Sequence, residues 1–167
     1  TTAPNDQLKN YRMAKVAAGL LMFRKQKNEL QFFLVHPRGP FFAKKNEGVW
    51  SIPKGLPEGN EEILETAQRE FFEETGIKPS PPFYPLGQIK LKSGKVIHAW
   101  SFEGDWDAKL GITSNVFSME WPPTSKKFID IPEVDRAEWM PFDQAAKMIH
   151  PQQLPFLQRA IEILQLA

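Results

Sequence analysis

Three glutamates near the middle of the chain have the residue types and spacing of a candidate metal site. Glu70, Glu73 and Glu74 stand at positions i, i+3 and i+4, and side chains at this spacing lie side by side on one face of a helix. Two unit charges about 5 Å apart repel each other by roughly 3 kcal/mol at an effective dielectric constant of about 20. A partly buried cluster of three carboxylates therefore favours a cation beside it.

The ligand atoms of this cluster are all oxygens. The chain has no cysteine, and no histidine adjoins the three glutamates. Oxygen ligands without sulfur or imidazole favour a hard ion, Mg²⁺ or Mn²⁺, over zinc. The alternative that needs no ion is a surface helix with a solvated acidic face.

The helix that would carry these carboxylates lies within residues 55–77, which read GLPEGNEEILETAQREFFEETGI. Leu64, Ala67 and Phe71 form an apolar stripe beside the glutamates. A helix of this kind can bury the stripe and present the carboxylates to a cleft.

Both ends of this helix carry capping signals. Gly59 or Asn60 suits the N-cap, and Glu61 and Glu62 then fall in the first turn, where the helix dipole favours negative charge. Gly76 suits the left-handed position that follows the last turn. The pattern predicts a helix that starts near residue 60 and ends before Gly76.

The same stretch resembles the Nudix box. That motif reads G, five residues, E, seven residues, then R-E-apolar-any-E-E-any-G-apolar. Every position of the motif is matched, by Gly55, Glu61, Arg69, Glu70, Phe71, Glu73, Glu74, Gly76 and Ile77. The chain is therefore similar to the Nudix hydrolase family over these 23 residues, and a complete motif is far more specific than a lone glycine signature.

The resemblance implies roles for the box residues. It implies a metal site formed by Glu70, Glu73, Glu74 and the carbonyl of Gly55. It also implies that Arg69 orients Glu73 and pairs with Glu61, although Arg69 has a simpler interpretation as an i,i+4 partner of Glu73.

The activity implied by the resemblance is hydrolysis of a phosphoanhydride bond in a nucleoside diphosphate linked to another group. Mg²⁺ or Mn²⁺ would be the cofactor, and Glu70, Glu73 and Arg69 would belong to the catalytic set. One alternative is a house-cleaning enzyme that releases pyrophosphate from modified nucleoside triphosphates. Another is a non-catalytic nucleotide sensor, although such proteins usually lose box carboxylates and this chain keeps all of them.

Short flanking sequences bear on the substrate. The phrase WSIPKG before the box resembles the branch that handles dinucleoside polyphosphates and diphosphoinositol polyphosphates. In the family, a tyrosine beyond the box tends to mark enzymes that favour dinucleoside polyphosphates, and a proline marks those that favour ADP-ribose. The segment LKSGKV, which occupies that region here, carries neither marker. The phrase WSIPKG is therefore the sequence feature that favours the polyphosphate branch.

Basic residues precede the box and are candidate phosphate ligands. Lys54 is the strongest, because it directly precedes Gly55. The others are Arg38, Lys44 and Lys45. For each of them the alternative is an ordinary solvated side chain.

A carboxylate outside the box is expected as an extra metal ligand or general base. Glu120 is the candidate, because it stands between apolar residues in VFSMEWPP. Its rivals are Glu133, Asp135 and a box glutamate.

The rest of the sequence predicts an α+β domain. Strands are predicted at residues 13–24, 32–36, 49–52, 83–91 and 95–104, with a further one near residues 137–140. A helix at residues 13–24 is the alternative for the first of these. Helices are predicted from about residue 141 and over 154–167, the last packing on its own sheet. The family resemblance sharpens this fold to an αβα sandwich with a mixed β-sheet.

Composition sets the remaining expectations. The chain is 41% apolar with a net charge of +1, which predicts one domain over residues 1–167 and no nucleic-acid or membrane surface. Residues 1–10 are expected to be a flexible segment. No apolar run approaches the roughly 20 residues of a membrane span, and the polar start favours a cytoplasmic protein.

Overall fold

The computed structural model describes residues 16–39, 42, 44–114, 116–120, 122–132 and 134–165. Residues 1–10, predicted to be flexible, and Glu133 lie outside this part of the chain. The strands and helices are β1 (Val16–Gln26), β2 (Glu29–Pro37), β3 (Lys54–Gly55), α1 (Ile63–Thr75), β4 (Tyr84–Lys90), β5 (Val96–Glu103), β6 (Val116–Glu120), β7 (Phe128–Pro132), β8 (Val134–Pro141), α2 (Phe142–Met148) and α3 (Leu154–Gln165).

The main sheet is mixed, as predicted. Its strand order is β4-β5-β1-β2-β8, and β3 pairs with β1 beside this path. The β1–β5 pair is parallel, whereas the other pairs in the sheet are antiparallel. Strands β6 and β7 form a separate two-stranded ribbon.

Strand β1 is buried on both faces, which explains its nearly continuous apolar sequence. Leu21 and Phe23 pack on the side of the sheet that α2 and α3 cover. Leu20 and Met22 point to the other side, where α1 packs. This alternation shows that residues 16–24 form a strand and not the alternative helix, while residues 13–15 of that prediction lie outside the described part of the chain. The burial of both faces confirms the αβα arrangement.

Helix α1 starts later than the capping signals indicate. Its N-cap is Glu62 rather than residue 59 or 60, and Thr66 N donates to Glu62 O over 2.9 Å in its first turn. Glu61 lies in a preceding turn, in which its backbone N–H bonds to the Glu58 carbonyl. The predicted end is confirmed, since Gly76 has φ 76° in the left-handed region.

The opposite face of the sheet is covered by the C-terminal helices. Phe156, Leu157 and Ala160 of α3 are fully buried in the same core as Leu21 and Phe32. The predicted packing of the closing helix on its own sheet is therefore confirmed.

The segment before the box is positioned without forming the predicted strand 49–52. Two isolated bridges hold it, Ser51 to Val35 of β2 and Trp50 to Ile149. Trp50 is 1% exposed and belongs to the core, as expected. A Cβ on Gly19 of β1 would lie 2.7 Å from the Pro53 carbonyl oxygen. Glycine at this crossing therefore lets residues 52–54 pass directly over β1.

Across the described residues, every helix is too short or too polar to cross a lipid bilayer.

Replacing Phe71 by alanine should destabilise the protein by about 3–5 kcal/mol, the usual cost of removing a buried aromatic ring. Phe71 is fully buried, and its ring centroid lies 5.7 Å from that of Phe33 and 5.1 Å from that of Phe102. The measurement is urea unfolding followed by tryptophan fluorescence, with an unchanged m-value.

The control for this substitution is the next residue of the helix. Phe72 is 52% exposed, so Phe72→Ala should change the unfolding free energy by no more than about 0.5 kcal/mol. Equal losses of unfolding free energy in Phe71→Ala and Phe72→Ala would contradict the packing described for α1.

Candidate active site

Arg69 of α1 forms a two-point ion pair with Glu61 in the turn before the helix. Its Nε donates to Glu61 Oε2 over 2.8 Å and its Nη2 donates to Glu61 Oε1 over 3.0 Å. Both side chains are largely shielded, at 19% and 15% exposure. Paired, parallel hydrogen bonds between ionised groups are among the strongest polar contacts in proteins, so this pair anchors the loop to the helix.

The same guanidinium also holds the helix carboxylates. Arg69 Nη1 donates to Glu70 Oε1 and to Glu73 Oε2, each over 3.0 Å. Its Nη2 donates to the Leu56 carbonyl over 2.9 Å. The pairing with Glu61 and the i,i+4 contact with Glu73, both expected from the sequence, are therefore present together.

These contacts shift the pKa values of the paired groups. The hydrogen bonds from Arg69, helped by one from Thr66, lower the pKa of Glu61 from 4.5 to about 2, although burial opposes the shift. The hydrogen bond to Glu61 raises the pKa of Arg69 further above its ordinary value. Both groups are ionised across the range in which proteins are normally active.

Gly55 is required at its position by space. A Cβ there would overlap the carboxylate of Glu70, with its carbon and both oxygens inside contact distance. Strand β3 brings this backbone to the helix, because Gly55 pairs with Ala18 and Lys54 pairs with Gly19 of β1. The Glu70 carboxylate thus lies directly against the backbone of Gly55.

A cavity of about 350 Å³ adjoins these groups. Its charged lining comes from Arg38, Lys54 and Glu74, and Glu74 is only 6% exposed. The remaining lining is Ser51 and the apolar residues Val35, Pro37, Ile52 and Val134. We refer to this space as the box cavity. Two cavities are larger. One of about 580 Å³ is lined by none of the box residues, and one of about 650 Å³ is lined mostly by the turn before α1, including Leu56 and Glu61.

The predicted basic ligands divide into two groups. Arg38 and Lys54 line the box cavity. Lys44 and Lys45 are exposed on the loop after β2, and the Lys45 ammonium lies 5.8 Å from the ring centroid of Phe42. The cavity lining therefore supports Arg38 and Lys54, while roles for Lys44 and Lys45 stay predictions.

The candidate bases outside the box lie in different settings. Glu120 is at the end of β6, where its Oε1 accepts a 2.6 Å hydrogen bond from Thr124 N. Asp135 is bound to His36, with 3.0 Å between Oδ1 and Nδ1. Glu133 lies outside the described residues. The role of Glu120 as a base stays a prediction.

Sequence reasoning missed Gln153, which supports the cavity wall from the other end of the chain. Gln153 is 4% exposed. Its Oε1 accepts from Ile52 N over 3.1 Å and its Nε2 donates to Ser51 Oγ over 2.9 Å. Residues 51 and 153 are 102 positions apart, so no local pattern could have joined them.

The site fits a divalent cation through its donor chemistry. Glu70, Glu73 and Glu74 offer only carboxylate oxygens, the ligands that Mg²⁺ and Mn²⁺ prefer. In the part of the chain that the structure describes, no three acidic or histidine side chains converge as a finished metal site. An ion entering here would compete with Arg69 for oxygens of Glu70 and Glu73.

The stability of the protein should depend on the charge of Glu61 at acidic pH. Because its pKa falls from 4.5 in the unfolded chain to about 2 in the folded one, the ionised carboxylate stabilises the folded state above pH 4.5. That contribution disappears as the pH falls towards 2. The difference in unfolding free energy between the parent and Glu61→Gln should therefore narrow as the pH falls below 4.5, as measured by urea unfolding.

Glu65→Gln is the matched control, because Glu65 is an exposed carboxylate in the first turn of the same helix. The unfolding free energy of Glu65→Gln should stay close to that of the parent at every pH. If the unfolding free energies of Glu61→Gln and the parent differ by the same amount at every pH, the assigned ion pair is contradicted.

Comparison with known proteins agrees with this geometry. A family model described as NUDIX domain matches residues 13–160. Nudix hydrolase 6 of Arabidopsis thaliana is 33% identical over 104 residues, which are 60% of this chain. The chain spans only 31% of the length of that relative. Bis(5'-nucleosyl)-tetraphosphatase [asymmetrical] of Rattus norvegicus is 28% identical over 124 residues, covering 65% of this chain and 79% of the rat protein.

Solved structures share the fold. A C. elegans Ap4A hydrolase binary complex has a TM-score of 0.63 at 18% identity and covers 90% of this chain and 99% of that one. The NUDIX domain of Shewanella oneidensis NrtR, complexed with ADP ribose, has a TM-score of 0.62 at 18% identity, covering 98% and 99% of the two chains. With the family model matched along nearly its whole length, the chain belongs to the Nudix hydrolase family.

Proposed function

We propose that this protein is a divalent-metal-dependent pyrophosphohydrolase that cleaves a phosphoanhydride bond in a nucleoside diphosphate linked to another group. The observation that carries this proposal is the placement of the Glu70 carboxylate against Gly55, with Arg69 bonded to both Glu70 and Glu73. The box cavity opens beside this arrangement, since Glu74 and Lys54 line it.

The proposed metal ligands are Gly55, through its carbonyl, and the three box glutamates Glu70, Glu73 and Glu74. When bound, Mg²⁺ or Mn²⁺ neutralises diphosphate charge and lowers the pKa of a water molecule for attack on phosphorus. Arg69 contributes by restraining Glu70 and Glu73, so that their carboxylates are positioned before the ion arrives.

The protein's own cations have a separate proposed task. Lys54 and Arg38 would bind the phosphates of the substrate in the box cavity and stabilise the charge that develops on the leaving phosphate. Lys44 and Lys45, on the exposed loop, would contact more distant phosphates. The proposed general base is Glu120 or a box glutamate.

A dinucleoside polyphosphate is the substrate that we favour. The box cavity combines an apolar wall, formed by Val35, Ile52 and Val134, with the basic Arg38 and Lys54. An apolar wall suits a nucleobase, and a basic edge suits a chain of phosphates. The rat relative is named as a tetraphosphatase, and the WSIPKG sequence agrees with the same group.

A screen of phosphate-releasing activity tests the proposal. It should cover dinucleoside polyphosphates, nucleotide sugars, nucleoside triphosphates and inositol pyrophosphates, each with Mg²⁺ and with Mn²⁺. Reaction in ¹⁸O-labelled water then identifies the attacked phosphorus and separates the proposed reaction from pyrophosphate release by a triphosphate-cleaving enzyme. Metal-dependent nucleotide binding without hydrolysis of any of these compounds would instead indicate a nucleotide sensor.

Glu73→Gln and Glu74→Gln should each lower kcat by about 100-fold or more, a loss typical of removing a group that stabilises transition-state charge. Folding is checked by circular dichroism. Glu65→Gln is the control, because it removes an exposed carboxylate from the same helix and should keep parental kcat. Near-parental turnover in either box variant would show that the metal assignment is wrong.

Gly55→Ala should reduce kcat while the protein stays folded. The added methyl group would occupy the position of the Glu70 carboxylate, so Glu70 would have to turn away from the Gly55 backbone. Binding of Mn²⁺, followed by electron paramagnetic resonance, should weaken in parallel. Unchanged Mn²⁺ affinity in a folded variant would argue against a shared Gly55–Glu70 site.

A further inference from the structure

His36 is a fully buried polar residue at the end of β2 that the proposed chemistry does not use. Its Nδ1 lies 3.0 Å from Asp135 Oδ1, and its Nε2 lies 2.6 Å from the Lys45 carbonyl oxygen. A carbonyl oxygen and an ionised carboxylate can only accept hydrogen bonds. The imidazole therefore bridges two acceptor groups, one on β8 and one on the loop after β2.

Asp135 occupies an irregularity in the sheet. Residue 36 pairs with Arg136 and residue 37 pairs with Val134, which leaves Asp135 as the extra residue of β8. A bulge of this kind re-aims the side chains around it. Here the Asp135 carboxylate bonds to His36, and the pair therefore fixes the bulge to β2.

The neighbours of this pair form the wall of the box cavity. Val35 and Pro37 flank His36 in sequence, and Val134 directly precedes Asp135. All three line the box cavity, as does Arg38. The hydrogen bond between β2 and β8 therefore lies directly behind the wall that faces the substrate.

His36 also fixes the basic loop that follows β2. Its Nε2 bonds to the Lys45 carbonyl, and its ring meets that of Trp50 edge-on at 5.2 Å between centroids. Trp50 Nε1 donates to Asn46 Oδ1 over 2.9 Å. One imidazole thus connects β2, the bulge of β8 and the loop at residues 45–46.

The charged groups that adjoin His36 come from each of these segments. Asp135 on β8 contacts it directly. Arg136 is the residue of β8 that pairs with His36 in register. It lies over the Trp50 ring, with 5.3 Å between the guanidinium carbon and the ring centroid. The ammonium of Lys45 is exposed, whereas its carbonyl faces the imidazole.

We propose that His36 and Asp135 are positioning residues that hold the wall of the box cavity and the basic loop in the arrangement that binds polyphosphate. This inference rests on the proposed function. When the hydrogen bond of His36 to Asp135 or to the Lys45 carbonyl is lost, the imidazole no longer ties β2 to that segment. The bulge or the loop then shifts, and substrate affinity falls. The box helix and β3 take no part in this contact, so the loss falls mainly on KM, with a smaller change in kcat through Arg38, which lines the same wall.

Asp135→Asn provides the decisive variant. The Asn amide can donate to an unprotonated Nδ1, so a neutral imidazole satisfies the same two contacts. The variant should therefore keep KM within about threefold of the parental value. Asp135→Ala, which leaves His36 without this partner, should raise KM by about tenfold with little change in kcat.

Glu138→Gln is the matched control, because it removes an exposed carboxylate from the same strand. Its KM and its kcat should equal those of the parent.

Three results would overturn the inference: an unchanged KM in Asp135→Ala, a loss in that variant that falls chiefly on kcat, or a KM for Asp135→Asn as high as that of Asp135→Ala. If the parent hydrolyses nothing in the screen, the proposed function fails separately. The positioning role is then measured by calorimetric binding of inorganic tripolyphosphate to the same variants. Equal binding by the parent and Asp135→Ala would overturn the role in that case.

Discussion

The Arg69 guanidinium is the interaction on which the candidate site depends. It forms a two-point pair with Glu61 ahead of the helix and bonds to Glu70 and Glu73 within it. Carboxylates held this close would repel each other if they were unpaired. A largely shielded cation among them allows the acidic cluster to exist in the folded protein before any ion binds. It also joins the loop at Leu56 to the helix, and the box therefore behaves as one unit.

The approach of two backbone segments brings this unit to the rest of the fold. Glycine at position 19 lets residues 52–54 cross β1 closely, and glycine at position 55 lets the backbone lie against the Glu70 carboxylate. Gln153, from the far end of the chain, bonds to residues 51 and 52 of the same segment. The short stretch before the helix is thus held from both sides, although it forms almost no regular strand. This support explains how a site built partly on a connecting segment keeps its geometry.

Two different groups of residues line the box cavity. Its charged lining comes from Glu74 of the box, Lys54 and Arg38, whereas its apolar wall comes from β2, the bulge of β8 and Ile52. Behind this wall, His36 of β2 bonds to Asp135 of β8. Chemistry and substrate binding can therefore vary separately, because the residues that hold the carboxylates differ from those that shape the wall. In a family with many substrates, such a division allows the pocket to change while the box is retained.

The sequence alone determined the features that arise from local periodicity and turn chemistry. These include the box helix with its left-handed end at Gly76, the strands β1, β2, β4 and β5, the burial of Trp50 and the amphipathic closing helix. The predicted start of the box helix was wrong. Glu61 bonds to Arg69 and Thr66 in a turn that precedes the first helical residue.

Only the tertiary structure decided which distant residues meet. His36 and Asp135 are 99 positions apart, and Ser51 and Gln153 are 102 apart. Local sequence patterns cannot predict such contacts. The contacts depend on the strand order, on a bulge and on how the two layers of helices pack on the sheet. The division of the four basic candidates, with Arg38 and Lys54 in the cavity and Lys44 and Lys45 on the exposed loop, has the same origin. The sequence states the type of each residue, but packing decides which residues become its neighbours across the sheet.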